Sequence, residues 1–358
     1  MCGGAESIVL LLLLLPTCFG VGANGSGRVD SRVAATLTAV LLAGGDGAAA
    51  GSWQVLVDTG SHVTWVPAAE CALLSVRATR SGGLAVESRD ACPRPAGLQQ
   101  RLAATSCAGA RRVAVRYADG VRVIGAACAA NVSVNGAPPL SLRLLLAAEV
   151  SVPVARGGEA AVWPVAGDGV LGLGLAPRLS GRAAEMSLLR AARCPWAVLV
   201  AFTARAAGGV VVSVACGSAA AGAADASTAA CIPVVHRHWK VEVAGVRLEV
   251  AGGDVLATVA RAVVHFDTGA THTVMPARFA DSVERAAAAD APALALVLAL
   301  PGSGELRVAA AASGLAPILS SADWVVGGAA LLVVLPRLRF VELANGTAAI
   351  CVSKAIVE

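Results

Sequence analysis

The stretch Val55-Leu56-Val57-Asp58-Thr59-Gly60-Ser61-His62-Val63-Thr64-Trp65-Val66-Pro67 returns as Val264-His265-Phe266-Asp267-Thr268-Gly269-Ala270-Thr271-His272-Thr273-Val274-Met275-Pro276. In both copies an apolar run enters Asp-Thr-Gly, a Thr follows six residues after the Asp, and a Pro follows nine residues after it. The two aspartates stand 209 residues apart, far outside the period of a solenoid, so two related lobes are expected and not an array. A second element repeats after each copy, as Val170-Leu171-Gly172 and Val325-Val326-Gly327. Two apolar residues and a glycine let one backbone pass close beneath another loop.

Outward from the repeat, the chain is a succession of short β-branched runs broken by Gly and Pro, such as Val210 to Val214 and Trp239 to Val243. That pattern predicts a mostly β protein. Ala184 to Ala192 and Ala277 to Ala289 are the best helix candidates. The Ala/Gly/Ser stretch at 218–230 lacks periodicity and reads as a connection. It separates an N-terminal lobe, 27–217, with the first Asp-Thr-Gly from a C-terminal lobe, 231–358, with the second. Before them, the apolar block Ile8 to Leu15, then Pro16 and the small residues Gly20-Val21-Gly22-Ala23, reads as a signal peptide over 1–23, although no basic residue precedes the block. Ala23 and Asp58 are 35 residues apart, which leaves little room for a propeptide.

Composition narrows the function classes. Hydrophobic residues make up 56% of the chain and charged ones 15%. Yet the apolar runs Ala293 to Leu300 and Val325 to Leu335 fall well short of the ~20 residues of a spanning helix and are expected as buried strands. The net charge of +4 is small, and Arg111-Arg112 has no interleaved aromatics, which argues against a nucleic-acid groove. The C-terminal residues Ser353 to Glu358 carry no lipid-anchor signature, so no membrane anchor is expected. Cys2 and Cys18 would leave with the signal peptide. The remaining Cys71, Cys92, Cys107, Cys128, Cys194, Cys216, Cys231 and Cys351 are even in number and without metal-type spacing. They predict disulfides in an oxidising compartment and no zinc site. Among Cys194, Cys216, Cys231 and Cys351 the three possible connectivities stay open. Asn131-Val132-Ser133 and Asn345-Gly346-Thr347 are candidate glycan acceptors.

One Asp-Thr-Gly is a common turn; two, each entered by an apolar strand within a longer matching segment, form a specific signal. The chain resembles the pepsin-like aspartic peptidases over nearly all its length after the signal peptide. Asp58-Thr59-Gly60-Ser61 with Trp65-Val66-Pro67 is similar to that family's first active-site segment, and Asp267-Thr268-Gly269 to its second. Tyr117-Ala118-Asp119-Gly120 resembles the tip of its substrate-covering flap. Asp168 to Gly174 is similar to a strand of that family's first lobe, and Trp324 to Gly328 to its counterpart near the C-terminus. The resemblance implies a mostly β, bilobal pepsin-like fold, two related β-barrel-like lobes with a central active-site cleft. It also implies a polypeptide substrate, no metal or other cofactor, and a monomer sufficient for catalysis.

The chemistry follows from pairing. Two carboxyls at hydrogen-bonding range do not both ionise cheaply, so one holds a proton while the other removes one from a shared water. The resemblance casts Asp58 and Asp267 as this pair. Gly60 and Gly269 would permit the turns that aim them, while Thr59 and Thr268 bond across to the opposite loop. Ser61 would donate to Asp58. Tyr117, with Asp119 and Gly120 in its turn, would close over substrate. His62, His265 and His272 flank the motifs, but without a Gly-x-Ser-x-Gly elbow they read as structural. Two departures stand out. Ala270 replaces the usual hydroxyl residue, which predicts activity reaching closer to neutral pH. Only 59 residues separate Asp267 from Val326, a short second lobe that leaves specificity open. The competing reading is an inactive binding or inhibitor protein on the same fold, resembling the xylanase inhibitors; two intact turns argue for the enzyme.

Overall fold

The computed structural model describes residues 38–44, 51–79, 83–93, 107, 112–134, 140–154, 163–165, 167–175, 186–191, 197–204, 210–216, 229–235, 238–250, 254–270, 273–276, 279, 294–301, 304–310, 315–318, 324–327, 331, 334–335, 338–343 and 347–353. Strands dominate, as the β-branched patterning predicts, and the chain divides into two compact units. The first unit consists of Thr38–Val57 and Ser61–Ala192. It contains β1 (Thr38–Gly44), β2 (Gly51–Asp58, whose last residue belongs to the other unit), β3 (Trp65–Ala78), β4 (Leu84–Ala91), β5 (Arg112–Arg116), β6 (Arg122–Val134), β7 (Leu140–Pro153), β8 (Gly169–Gly172) and the short helix α1 (Leu188–Ala191). The strands order as β1-β2-β8-β3-β7-β6-β5, with β4 on β3. A further pairing of β1 with β6 curls this sheet back on itself. Inside lie Trp65, Leu73, Val123, Leu145, Val150 and Val170, all buried. Trp65, with no exposed surface, removes roughly 150–250 Å² from water, a gross gain of about 4–6 kcal/mol.

The second unit holds Asp58–Gly60 and Arg193–Glu358. Its elements are β9 (Ala197–Ala204), β10 (Val210–Cys216), β11 (Ala229–Pro233), β12 (Lys240–Val250), β13 (Val255–Phe266), β14 (Thr273–Pro276), β15 (Leu294–Ala299), β16 (Glu305–Ala310), β17 (Leu315–Ile318), β18 (Trp324–Val326), β19 (Leu338–Leu343) and β20 (Ala348–Ser353). They build a five-stranded sheet, β10-β9-β19-β20-β11, and a seven-stranded sheet, β16-β15-β12-β13-β18-β14-β17. Trp239 and Phe340, both fully buried, meet edge to face at 5.0 Å. Of the residues grouped with the first lobe on sequence, β9 pairs here with β19, and β10 pairs with β9.

The apolar runs behave differently from one another. Leu294–Ala299 is the expected buried strand, covered on one face by side-chain ion pairs. Arg247 bonds Glu305 at 2.7 and 3.0 Å and Glu249 at 3.0 Å, and Arg307 bonds Glu249 at 2.6 Å. Val325 to Leu335, expected as one strand, is not. The strand stops at Val326, Gly327 bonds the Thr273 hydroxyl, and Leu331 N–H donates to Gly327 O at 3.3 Å. Of the helix candidates, α1 falls within Ala184–Ala192, while Ala277–Ala289 lies outside the described residues apart from Phe279. No helix among the described residues is long and apolar enough to cross a membrane.

Among the described residues three disulfides form, Cys71–Cys92, Cys107–Cys128 and Cys231–Cys351. The last joins residues directly opposite in the β11–β20 ladder, which resolves one of the open connectivities. Cys194 lies outside the described residues, as does the side chain of Cys216.

Candidate active site

The sequence repeat becomes a repeated topology. In one sheet β8 lies between β2 and β3; in the other β18 lies between β13 and β14. Each inserted strand therefore sits between the two strands that flank an Asp-Thr-Gly. Thr64 and Thr273, the residues six positions after each aspartate, make the same lock. Gly172 N–H donates to Thr64 Oγ1 at 3.2 Å, and Gly327 N–H donates to Thr273 Oγ1 at 3.3 Å. The Thr273 hydroxyl in turn donates to Gly327 O at 3.1 Å. The repeated spacing was the sequence signal for this role, which its bare repetition did not reveal. A Cβ on Gly172 would sit 2.7 Å from Val63 N, so the close backbone approach expected there is present.

Asp58–Gly60 and Asp267–Gly269 belong to the same compact unit, and each turn's threonine N–H donates to the other's threonine hydroxyl. Thr59 N–H donates to Thr268 Oγ1 at 2.9 Å, and Thr268 N–H donates to Thr59 Oγ1 at 3.0 Å. The Thr59 hydroxyl in turn donates a hydrogen bond to Phe266 O at 2.9 Å. Both threonines are buried, so these bonds meet no competition from water and fix one turn on the other. Each carboxylate is held by its own turn. Gly60 N–H donates to Asp58 Oδ1 at 2.7 Å, while Gly269 and Ala270 N–H donate to Asp267 Oδ1 at 2.9 and 3.2 Å. Position 270, which has no hydroxyl, thus still contributes through its backbone.

The two turn glycines answer a different need from the one expected. Neither has a left-handed φ. A Cβ on Gly60 would stand 2.6 Å from Asp267 Cγ, and one on Gly269 would stand 2.8 Å from Asp58 Oδ2. Each glycine is the space that the opposite carboxylate occupies.

The other predicted site residues fall in the unit formed by β1 to β8. Tyr117–Gly120 caps the β5–β6 hairpin with Gly120 N–H donating to Tyr117 O at 3.0 Å, Tyr117 N–H to Val121 O at 2.8 Å and Val121 N–H to Asp119 Oδ1 at 3.0 Å. Gly120 takes φ 88°, the left-handed value that ends a type I turn in such a hairpin. Tyr117 Oη accepts the indole N–H of Trp65 at 2.8 Å and lies 3.5 Å from Ser61 Oγ. Ser61 also accepts Val63 N–H at 3.2 Å. Sequence reasoning missed the Trp65–Tyr117 bond, and with it the neighbouring pair Gln54 and Asp168. Asp168 N–H donates to Gln54 O, and Gln54 N–H returns to Asp168 Oδ2 at 2.8 Å. Burial pushes the Asp168 carboxyl up, opposed by the Gln54 N–H.

Of the histidines, His265 is buried on β13 with its ring 5.6 Å from that of His238, His62 is half-buried, and His272 lies outside the described residues. Asn131 is exposed on β6, and Asn345 lies outside the described residues. Among the described residues no cluster of His, Cys, Asp or Glu could hold a metal ion.

These turns, their inserted strands and the curled sheets are the architecture of pepsin-like proteins. The family model of the eukaryotic aspartyl proteases matches residues 47–299, a span containing both Asp-Thr-Gly turns, Tyr117 and β8. The chain belongs to the eukaryotic aspartyl protease family. A search of curated proteins finds no match.

Proposed function

We propose that the protein is an active aspartic endopeptidase in which Asp58 and Asp267 activate one water. The ionised carboxylate takes a proton from the water as its oxygen attacks the scissile carbonyl carbon. The protonated carboxyl hydrogen-bonds the carbonyl oxygen and passes it a proton. The tetrahedral diol then collapses, the amide nitrogen leaves with a proton, and the carboxyl pair recovers its single shared proton. No covalent intermediate is required. The carboxyls titrate as a pair, so neither is assigned the proton.

The observation that supports this reading over an inactive inhibitor-like protein is the reciprocal Thr59–Thr268 exchange, which orients two intact carboxylates at each other's glycine. Preorganised polar groups of this kind are what water activation needs. Thr59, Gly60, Ser61, Thr268 and Gly269 support the pair in this proposal, and Tyr117, with Asp119 and Gly120 shaping its turn, contacts substrate. The signal peptide over 1–23 and glycans at Asn131 and Asn345 remain part of the reading. Three disulfides favour a secretory-pathway destination.

Hydrolysis of a quenched peptide library tests the proposal. Pepstatin and either Asp58→Asn or Asp267→Asn should each abolish cleavage. Cleavage that survives both substitutions would overturn the mechanism, and no cleavage of any peptide by correctly folded wild-type protein would favour the binding-protein reading. In an active enzyme, Ala270→Thr should move the pH–rate profile towards acid.

A further inference from the structure

We propose that Trp163 is a positioning residue for the hairpin that carries Tyr117, and that it acts through Trp65. Its role in binding substrate rests on the endopeptidase reading; its effect on Tyr117 does not.

Tyr117 lies outside the β5–β6 ladder, which runs only from Arg112↔Ala126 to Arg116↔Arg122. The ladder fixes the hairpin's backbone and leaves the ring's place to side-chain contacts. Those contacts form a chain. Trp65 Nε1 donates to Tyr117 Oη at 2.8 Å. Trp163 abuts Trp65 edge to face, with ring centroids 6.0 Å apart and planes at 69°. Trp163 and Tyr117 are both only partly buried against the core that encloses Trp65. Trp163 therefore walls Trp65 on the side where the core ends.

Trp163 is itself anchored. Its Nε1 donates to Gly167 O at 2.6 Å. Gly167 adopts φ 128°, where a side chain is strained, and a Cβ there would stand 3.2 Å from Gln54 C. The next residue, Asp168, makes the two-way bond to Gln54 on β2, the strand that ends at Asp58. A bare core-filling residue would need none of this. The geometry ties the ring that anchors Tyr117 to the strand that delivers an aspartate.

Tyr117 is the single tyrosine of the chain, so the full-length protein grown with fluorotyrosine carries one fluorine NMR reporter at that ring. Trp65→Phe, which removes the indole donor, supplies the resonance of an unanchored Tyr117. Trp163→Leu should move the signal from the wild-type position towards that of Trp65→Phe. Trp163→Phe, which keeps a ring edge on Trp65, should hold the wild-type position. In a cleavage assay Trp163→Leu should raise KM roughly 2- to 12-fold, the fold-change that one edge-to-face contact is worth, with kcat changed less than about twofold, and Trp163→Phe should restore KM. Should Trp163→Leu not fold, Trp163→Met carries the same comparison. A signal unmoved in the folded Leu or Met variant overturns the inference, and so does an equal displacement in Trp163→Phe. A fall in kcat with KM unchanged also overturns it. A displaced signal in a protein that cleaves nothing supports the positioning role and counts only against the endopeptidase reading.

Discussion

Replacing Thr59 by Val keeps the β-branched shape and removes one hydroxyl. That hydroxyl is fully buried, donates to Phe266 O at 2.9 Å and accepts Thr268 N–H at 3.0 Å. Valine takes away both bonds while adding no volume the site cannot hold. A buried polar group that loses its partner costs about 1–3 kcal/mol, so Thr59→Val should destabilise the unit by about 2–4 kcal/mol. Thr59→Ser retains the hydroxyl and loses one methyl, about 0.8 kcal/mol. The order wild type, Ser, Val is therefore the diagnostic, because a packing role alone would place Val above Ser. Urea unfolding followed by tryptophan fluorescence reads it. With a slope of about 2 kcal/mol/M, the valine variant's midpoint should fall by about 1–2 M. Equal midpoints for Val and wild type, or Ser below Val, would refute the reasoning. A cycle with Thr268→Val adds a check, since each hydroxyl serves the other residue's N–H; the coupling should be about 0.5–3 kcal/mol.

Three further outcomes are expected. Asp168 has a carboxyl raised by burial, so its folded form binds a proton more readily than its unfolded form. Its share of stability is full below the ordinary carboxylate range and falls as pH rises through the folded value. Asp168→Asn should therefore flatten that decline in a series of thermal melts, and an unchanged slope would count against it. Glu305 shows the opposite sign: the Arg247 hydrogen bonds hold its carboxyl below the usual range. Its contribution is present near neutrality and lost on acidification, so Glu305→Gln should be slightly less stable than wild type at pH 7 and equal to it in acid. Removing the Cys231–Cys351 disulfide by a double Ser substitution opens a loop of 120 residues' separation, which should cost about 4–5 kcal/mol in chemical denaturation; that is more than the loss of Cys71–Cys92, which spans 21.

Much of this architecture was legible because it is written twice. Asp-Thr-Gly, the threonine six residues on and the later Val-Leu-Gly or Val-Val-Gly each had a counterpart, and repetition turned common turn residues into a pattern. What did not repeat was harder to read. Trp163 and Gln54 have no partner copy, and their contacts join residues distant in sequence through a left-handed glycine, which local periodicity does not encode. The run Val325 to Leu335 misled because hydropathy alone does not separate a strand from other buried segments; the break is made by Thr273 from elsewhere in the chain. Gly60 and Gly269 are expected to give their turns backbone freedom, whereas the space at each is filled by the opposite turn's carboxylate, from Asp267 and Asp58 respectively.

The Cys231–Cys351 bridge gives the molecule an unequal covalent plan. It closes a ring around Asp267, while Asp58 and the strands up to Cys216 stand outside that ring. A single cut between Cys216 and Ala229 would yield two polypeptides, one aspartate on each, and none of the three described disulfides would join them. Among the described contacts, the β9–β19 ladder and the threonine exchange would then hold such a two-chain form together, and its lifetime would be set by dissociation as well as unfolding.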